Sequence, residues 1–374
     1  MSRRGENIRK RKDGRWEGRL PIYNKQNKIE KYHSVYAYSY QEVKALMKEN
    51  KGVYIAENTI PDTTIKQLCN SWLENIKIYI KQSTYSRYNH IVQKHILPCF
   101  ENITANNLTD DDITAFIRNK KINGRLDKKG GLAPKTIQDI CTVLKQIIKY
   151  ANKKGYCRQI SLDFQKPKSE QQPFSVLSVD EQIQFVAYLK RNINLETLGI
   201  LICLYTGIRV GELCALTWNN IDMAHSVLHI NKTLQRVQNT EDNTGKTKII
   251  IDKPKSNKSI RDIPIPQFLY QLLKKYNYQY QNNAYLLTGQ TNHFIEPRLF
   301  QYKFKAHLKK AGLQDRNIHT LRHTFATRAV EQNIDVKTLS EILGHSTVKF
   351  TLERYVYSSY ELKVQSMEKM AACF

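Results

Sequence analysis

The chain has 374 residues, 41% of them hydrophobic and 25% charged, which is enough for two or three globular domains that each bury a core. Its 59 Lys and Arg residues outnumber 34 Asp and Glu, and the formal charge of +25 indicates a polyanionic partner, with nucleic acid as the first expectation. We expect no membrane function, because the sequence has no apolar run of spanning length, no signal peptide in MSRRGENIRKRK, and no lipid signal or basic amphipathic helix.

The seven cysteines are scattered, with no CxxC pair and no Cys/His spacing typical of a metal site. Such a pattern is typical of reduced thiols in an intracellular protein. Structural zinc is therefore not expected.

Residues 1–60 are dense in basic and aromatic side chains, and their pattern predicts a small folded module. Residues 7–11 and 15–23 read as two strands joined by a hairpin turn, residues 30–35 as a third strand, and Ser39 as the start of a helix. One face of such a sheet fits a DNA groove. The alternative is a basic, partly ordered tail that binds phosphate without sequence preference. The arginines expected to contact DNA are Arg9, Arg11, Arg15 and Arg19.

Residues 51–62 read as a linker, and four amphipathic helices follow within residues 64–165. Their polar faces carry many Lys and Arg residues, among them Arg87, which suits DNA binding. Charged helix faces are, however, usually only solvated. A second polar and basic linker, residues 153–173, would let two domains close around a rod-shaped ligand.

A third domain is predicted from Phe174 to the C-terminus, and its first candidate site residue follows a buried helix. Residues 195–205 are apolar, Thr206-Gly207 breaks the helix, and Arg209 stands where the next helix begins. Taken alone, Arg209 has a plain alternative role as a surface ion pair with Glu212.

Strands are predicted in this domain only between residues 226 and 265, as a three-stranded antiparallel sheet. The strands are residues 227–237, 246–251 and 260–265, and a basic turn with Lys255 precedes the last of them. A lysine at a hairpin tip can reach a DNA groove, although many such lysines are merely solvated.

Residues 319–355 read as three short helices that bring basic side chains and a phenol together. His319 and Arg322 are three apart and share a helix face, Gly344 ends the second helix just before His345, and Tyr355 lies in the third. Fixed cations, a proton carrier and a hydroxyl nucleophile are what an anionic reacting centre requires.

The spacing of these motifs closely resembles the tyrosine recombinases, the integrases of phages and conjugative transposons. The motifs are TGIRVGEL, PKSNKSIRDIP, HTLRH, LGHS and a tyrosine ten residues after the last histidine. The resemblance implies a multidomain α+β protein. Residues 1–60 would be an arm-type DNA-binding module, residues 64–165 a helical core-binding domain, and residues 174–374 a mainly α-helical catalytic domain with the three-stranded sheet.

The resemblance also implies a role for each matching residue. Tyr355 is expected to attack a backbone phosphate, forming a 3′-phosphotyrosyl link and releasing a 5′-hydroxyl. Arg209 and Arg322 would grip the non-bridging oxygens, as guanidinium forks do well, and His345 would be a third phosphate donor. Tyr357 stands where many relatives have a histidine, and the spacing from His345 favours Tyr355 over it.

Two further residues complete the expected proton transfers. Lys255 resembles the general acid that protonates the leaving 5′-oxygen, with Lys258 as a competing neighbour, and His319 resembles the residue that accepts the tyrosine proton and supports the phosphate. With two arginines, a lysine and two histidines around one phosphate, neither a metal nor another cofactor is required, and religation needs no ATP.

The partners implied by the resemblance are double-stranded DNA at element ends and target site, a homotetramer that forms on DNA through a four-way Holliday junction, an excisionase and a host DNA-bending protein. The expected location is the bacterial cytoplasm, at the nucleoid. An alternative with the same chemistry is a Xer-type recombinase that resolves chromosome dimers. An alternative from another class is an architectural DNA-binding protein with a disabled site.

Overall fold

A computed structural model describes residues 7–23, 29–59, 63–157, 164, 167, 175–239, 246–254, 257–277, 279–355, 364, 367, 368, 370 and 371, with the side chains of residues 22, 23, 30, 31, 50–59 and 257 left undescribed. The chain divides into two compact units, Met1–Glu170 and Gln171–Phe374. Both helices and sheets are present, which confirms the α+β prediction. Among the described residues, every helix is either too short or too polar to span a lipid bilayer.

The first unit begins with an antiparallel sheet and a helix, as predicted. The elements are β1 (Ile8–Lys10), β2 (Trp16–Tyr23), β3 (Ile29–Ala37) and α1 (Tyr40–Thr59). Strand β2 lies in the centre of the sheet. Leu20 and Val35 of the sheet are buried together with Val43 of α1. A Cβ atom on Gly18 would lie 2.7 Å or less from the side chains of Val43 and Met47, so the missing side chain lets the helix approach the sheet.

The prediction of a linker at residues 51–62 is wrong for residues 51–59, which continue α1. Gly52 is the residue that suggested a break. A single helical glycine costs only about 1 kcal/mol relative to alanine, and good helix formers such as Lys, Ala and Glu flank it.

The rest of the first unit is helical. Its elements are α2 (Ile65–Lys77), α3 (Gln82–Ile91), a π-helical turn (Val92–Ile96), α4 (Leu97–Phe100), a 3₁₀ turn (Ala105–Asn107), α5 (Asp110–Asn123) and α6 (Pro134–Lys154). Thr64 and Thr109 each start a helix through a capping box, and Gly155 ends α6 in the left-handed conformation. Their apolar faces form one core around buried Trp72 and Phe100.

The second unit opens with three helices that place the first candidate site residue. They are α7 (Val179–Arg191), α8 (Leu195–Thr206) and α9 (Val210–Ala215). Ser178 caps α7 through a capping box. The helix α8 is buried along its length and ends at Gly207, which has φ of 66°. Arg209 is the residue directly before α9.

The strands of this unit form a three-stranded antiparallel sheet and a separate hairpin. The sheet consists of β4 (Ile221–Asp222), β5 (Val227–Ile230) and β8 (Arg261–Pro264), and the hairpin of β6 (Thr233–Gln238) and β7 (Thr247–Asp252). A three-stranded antiparallel sheet is present, but the predicted membership is wrong: β4 takes the place predicted for residues 246–251, which pair with β6 instead, and the single strand predicted over 227–237 is two strands. Side-chain alternation could not reveal this, because β5 pairs with β8 whereas β6 pairs with β7.

Further helices of the second unit, within the described residues, are α10 (Gln267–Asn277), α11 (Pro297–Lys310), α12 (His319–Glu331), α13 (Val336–Leu343) and α14 (Val348–Tyr355). Most apolar side chains of the unit join one core around α8, in which Trp218, Phe300 and Phe304 are nearly inaccessible. A smaller cluster packs Leu339 and Leu343 of α13 against α12 and Tyr355. The second cluster fixes where α14 ends relative to α12.

We expect Gly207→Ala to destabilise the second unit, because its φ of 66° is left-handed and a Cβ atom would lie 2.5 Å from the Phe325 ring. The loss should be about 1–2 kcal/mol for the backbone and a further ~1–3 kcal/mol for overpacking. Gly312→Ala is the matched control: its φ is 74°, but the nearest atom to a Cβ is 3.5 Å away. Urea unfolding of both variants checks this, and equal losses would contradict it.

Candidate active site

The helix α12 carries three polar side chains on one face, since Arg322 and His323 follow His319 by three and four residues. The Arg322 side chain is buried, and it donates hydrogen bonds of 2.8 Å to the carbonyls of Gly207 and Leu343. Burial lowers the pKa of Arg322 to about 9, so the guanidinium remains charged at neutral pH. Arg322 thus joins the loop after α8 to the end of α13.

Arg209 reaches the same place from the start of α9. Its Nη1 donates to Glu212 Oε1 at 2.8 Å, and its Nη2 donates to the Gly344 carbonyl at 3.2 Å. The ion pair with Glu212, which was the plain alternative for this arginine, is therefore real. About a third of the side chain, 36%, is still exposed, so the guanidinium is held and can also meet a ligand.

Glu212 is buried and holds a second arginine as well. Arg261 on β8 donates to its two oxygens at 2.9 and 3.2 Å, and also to the carbonyls of Ile342 and Ser259. Burial raises the pKa of Glu212, but Arg261 and Arg209 outweigh burial and the net pKa is lowered. The carboxylate is therefore ionised and connects α9, β8 and α13.

His345 follows the left-handed Gly344 that ends α13. Its Nε2 accepts a hydrogen bond from Arg322 Nη2 at 2.8 Å, and its Nδ1 lies 2.7 Å from Thr351 Oγ1. Burial, followed by the nearby arginines Arg322 and Arg209, lowers the pKa of His345 to about 3. The imidazole is therefore neutral.

Tyr355 is the last residue of α14, and the residue is only 6% exposed. The hydroxyl lies 2.8 Å from His323 Nδ1. The ring stacks on His345 with centroids 6.3 Å apart. Burial raises the pKa of Tyr355, although the nearby arginines oppose this, so the free protein holds a neutral phenol.

Five of the six predicted catalytic residues line one cleft of about 520 Å³, together with Ser175, Asn317, Thr320, His323, Phe350 and Arg354; the five are Arg209, His319, Arg322, His345 and Tyr355. The sixth, Lys255, lies outside the described residues. Its neighbour Lys258 donates to the Ser346 carbonyl at 3.2 Å, one residue after His345. In the described part of the chain, no group of three His, Cys, Asp or Glu side chains could hold a metal ion.

Two residues that hold other side chains of this site, His323 and Arg261, had no role predicted from the sequence. His323 is the last residue of the HTLRH motif, and Arg261 lies within SIRDIP, so both belong to motifs that were recognised. The role of His323 depends on its contact with α14, and that of Arg261 on its contact with α13. Both contacts are set by tertiary packing.

Three of the four arginines proposed to contact DNA in the first module surround a buried carboxylate, and the fourth, Arg15, pairs with Asp13 at 2.8 Å. Glu17 of β2 pairs with Arg9 at 2.7 Å, Arg19 at 3.2 Å and Arg11 at 3.6 Å. The Arg9 hydrogen bond is the main reason that the pKa of Glu17 falls to about 2. The guanidinium groups of Arg11 and Arg15 lie over the ring of Tyr36, at 5.4 and 5.5 Å from its centroid.

These side chains occupy the sheet face that alternates with the helix-covered face, because Glu17 and Arg19 flank Gly18, which contacts α1. In the helical part of the first unit, Arg87 on α3 is 57% exposed and lies 3.8 Å from Asp139. Its guanidinium also lies 5.4 Å from the centroid of the Tyr88 ring.

Comparison with known proteins agrees with this arrangement. The phage integrase family matches residues 175–361, half of the 374-residue chain, and the phage integrase N-terminal SAM-like domain matches residues 64–121. A XerC-like tyrosine recombinase of Caldanaerobacter subterraneus is 27% identical over 84% of both chains. The ICEBs1 integrase of Bacillus subtilis is 23% identical over 77% of both.

A Tn1549 transposon integrase, solved in complex with a circular intermediate DNA, has the same fold. Its TM-score is 0.64 at 22% identity, over 82% of this chain and 99% of that one. The chain therefore belongs to the phage integrase family. It is a tyrosine recombinase, an enzyme that cleaves and rejoins DNA strands, and the resemblance inferred from the motifs is confirmed.

We expect Glu212→Ala to cost about 3–5 kcal/mol of stability, because it leaves the buried Arg261 without its counter-charge. Arg236→Ala is the control, since it breaks an exposed pair with Glu296 in which the arginine side chain is 44% exposed, and should cost less than about 1 kcal/mol. Urea unfolding of both variants is the measurement. A loss at Glu212 no larger than at Arg236 would show that the buried pair does not hold the site.

Proposed function

We propose that this chain is a site-specific recombinase that integrates and excises a mobile DNA element through a 3′-phosphotyrosyl intermediate and a Holliday junction. The observation that carries the proposal is the single cleft that gathers Arg209, Arg322, His319, His345 and Tyr355 in one subunit. A phenol beside two arginines and two histidines is a nucleophile beside an anion site, which suits phosphoryl transfer.

The roles of the site residues follow from this chemistry. The Tyr355 oxygen attacks the phosphorus, while the forks of Arg209 and Arg322 bind the non-bridging oxygens as charge builds on them. His319 and His345 add hydrogen bonds to the same phosphate. Lys255 protonates the leaving 5′-oxygen, which would otherwise leave as a poor alkoxide.

The assembly we propose is a homotetramer on DNA. Each cleft holds one Tyr355, and recombination between two duplexes breaks four strands, so four subunits supply the four nucleophiles. Residues 1–60 would bind arm sites, residues 64–165 core sites, and residues 174–374 would carry out catalysis. Double-stranded DNA at the element ends and target site is the substrate. An excisionase and a host bending protein would control direction, and the protein would work at the bacterial nucleoid.

A Xer-type role in resolving chromosome dimers is the second candidate, and the XerC-like relative favours it. It shares the chemistry but gives no role to the basic sheet face around Glu17. Purified protein acting on a circular substrate separates the two roles. Excision between the element's own ends supports the integrase, whereas resolution of chromosomal dimer sites alone supports the Xer role.

We expect Tyr355→Phe to abolish the covalent protein–DNA adduct on a nicked suicide substrate, because the variant lacks the attacking oxygen and keeps the ring packing. Denaturing gels of end-labelled DNA measure the adduct. Tyr357→Phe is the control and should form adduct at the wild-type level. An adduct that persists in Tyr355→Phe and disappears in Tyr357→Phe would move the nucleophile to Tyr357.

We expect Arg15→Ala to reduce the salt dependence of DNA binding, because removing one cation that neutralises a phosphate lowers the slope of log K against log salt by about 0.9. Lys48→Ala is the control, since Lys48 is exposed on α1, which covers the other face of the sheet. Fluorescence anisotropy with arm-site duplexes over a salt series measures both slopes. Equal slopes for Arg15→Ala and wild type would show that Arg15 does not contact DNA.

A further inference from the structure

The hydroxyl of Tyr355 has a partner that the family resemblance did not identify. His323 Nδ1 lies 2.8 Å from the phenol oxygen, and the two rings are 5.8 Å apart between centroids. Two independent elements create this contact, because His323 lies on α12 and Tyr355 ends α14. The cluster of Ala329, Leu339 and Leu343 with Tyr355 holds the two helices together.

Burial and the charges around His323 keep its imidazole neutral. Burial, followed by Arg354 of α14 and by His319 and Arg322 of α12, lowers the pKa of His323 to about 4. A neutral imidazole whose hydrogen is on Nε2 has a lone pair on Nδ1, which can accept the phenol hydrogen bond. Burial raises the pKa of Tyr355, and the positive charge of Arg322 opposes burial and favours the phenolate form. The phenol thus lies near a cation that stabilises a phenolate and contacts a base that can take its proton.

We propose that His323 is the general base that removes the proton of Tyr355 during strand cleavage. This inference rests on the proposed function, and it assigns the role of base to His323 instead of His319, which lies one helical turn earlier. His319 then remains available for the phosphate. A base must lie within about 2.6–3.2 Å of the proton's oxygen, and the distance between His323 and Tyr355 meets this requirement.

The step balances without an added reactant. As the Tyr355 oxygen forms its bond to phosphorus, the phenol proton passes to His323 Nδ1, and the bond from phosphorus to the 5′-oxygen breaks. The leaving oxygen takes a proton from the acid, Lys255 in the proposed function. In religation the 5′-hydroxyl gives its proton to the now neutral Lys255 as it attacks the phosphotyrosine, and the departing Tyr355 oxygen takes the proton back from the His323 imidazolium.

The experiment measures single-turnover adduct formation by the full chain on two suicide substrates. One has the natural 5′-oxygen at the scissile bond, and the other has sulfur there, a leaving group that needs no acid. The variants are His323→Ala, His323→Asn, His319→Ala and Lys255→Ala. Duplex affinity by gel shift and the thermal unfolding midpoint are measured for each variant, so that a folding defect is recognised.

We expect His323→Ala to slow cleavage of both substrates by about 10²- to 10⁴-fold with unchanged DNA affinity, because the missing base is needed whichever atom leaves. Lys255→Ala should recover on the sulfur substrate. His323→Asn should be as slow as His323→Ala, because an amide oxygen near the Nδ1 position accepts the hydrogen bond but cannot take the proton.

Three outcomes would overturn the inference. A rate for His323→Ala within about threefold of wild type removes the role, and recovery in His323→Asn reduces His323 to a hydrogen-bond acceptor. If cleavage of the sulfur substrate is slowed in His319→Ala but not in His323→Ala, His319 is the general base. Absence of adduct in the wild-type protein on both substrates is a different result, because it overturns the proposed function itself and the inference with it.

Discussion

One buried carboxylate, Glu212, determines how the cleft is built. It pairs with Arg209 on one side and Arg261 on the other, and Arg261 continues to the carbonyls of Ile342 and Ser259. Three elements distant in sequence are thereby fixed around one charge. An unpaired Arg209 would sample many rotamers. Held by Glu212, it has lost most of that freedom before any ligand arrives, and in the phosphate-binding role that we propose for it the site is therefore preorganised.

Burial and the arginines together decide the protonation of the neighbouring histidines. Burial, reinforced by Arg322 and Arg354, lowers the pKa of both His323 and His345 well below the usual range. Charge and proton exchange are therefore carried by different groups. The guanidinium groups stay charged at neutral pH, and the exchangeable protons are on the neutral imidazoles and the phenol. A site in which histidines carried the charge would lose its anion affinity as pH rose through their pKa. The positive charge of this cleft comes from arginines, so it does not depend on the protonation of histidines.

The sequence allowed the fold class, most helices and five of the cleft residues to be predicted, because each depends on local patterns or on motif spacing. From the sequence, Arg209 could be either a catalytic residue or the partner of Glu212, and the structure makes it a partner that is still partly exposed. What escaped prediction depends on tertiary packing. The HTLRH motif has a histidine on either side of Arg322, and only the position of α14 decides that His323 meets Tyr355. Strand partners changed within residues 227–237 for the same reason.

Glu17 in the first module is also a buried carboxylate surrounded by arginines, but its arginine partners are more exposed than those of Glu212. Its partners Arg9, Arg11 and Arg19 are 39–57% exposed, whereas Arg261 beside Glu212 is 6% exposed. Water screens the charges of these exposed arginines, whereas it screens the buried pair between Arg261 and Glu212 much less. The same pairing therefore has two results. In the first module the arginines are aligned and still open to solvent, and in the cleft they form a fixed frame from which the partly exposed Arg209 faces outward.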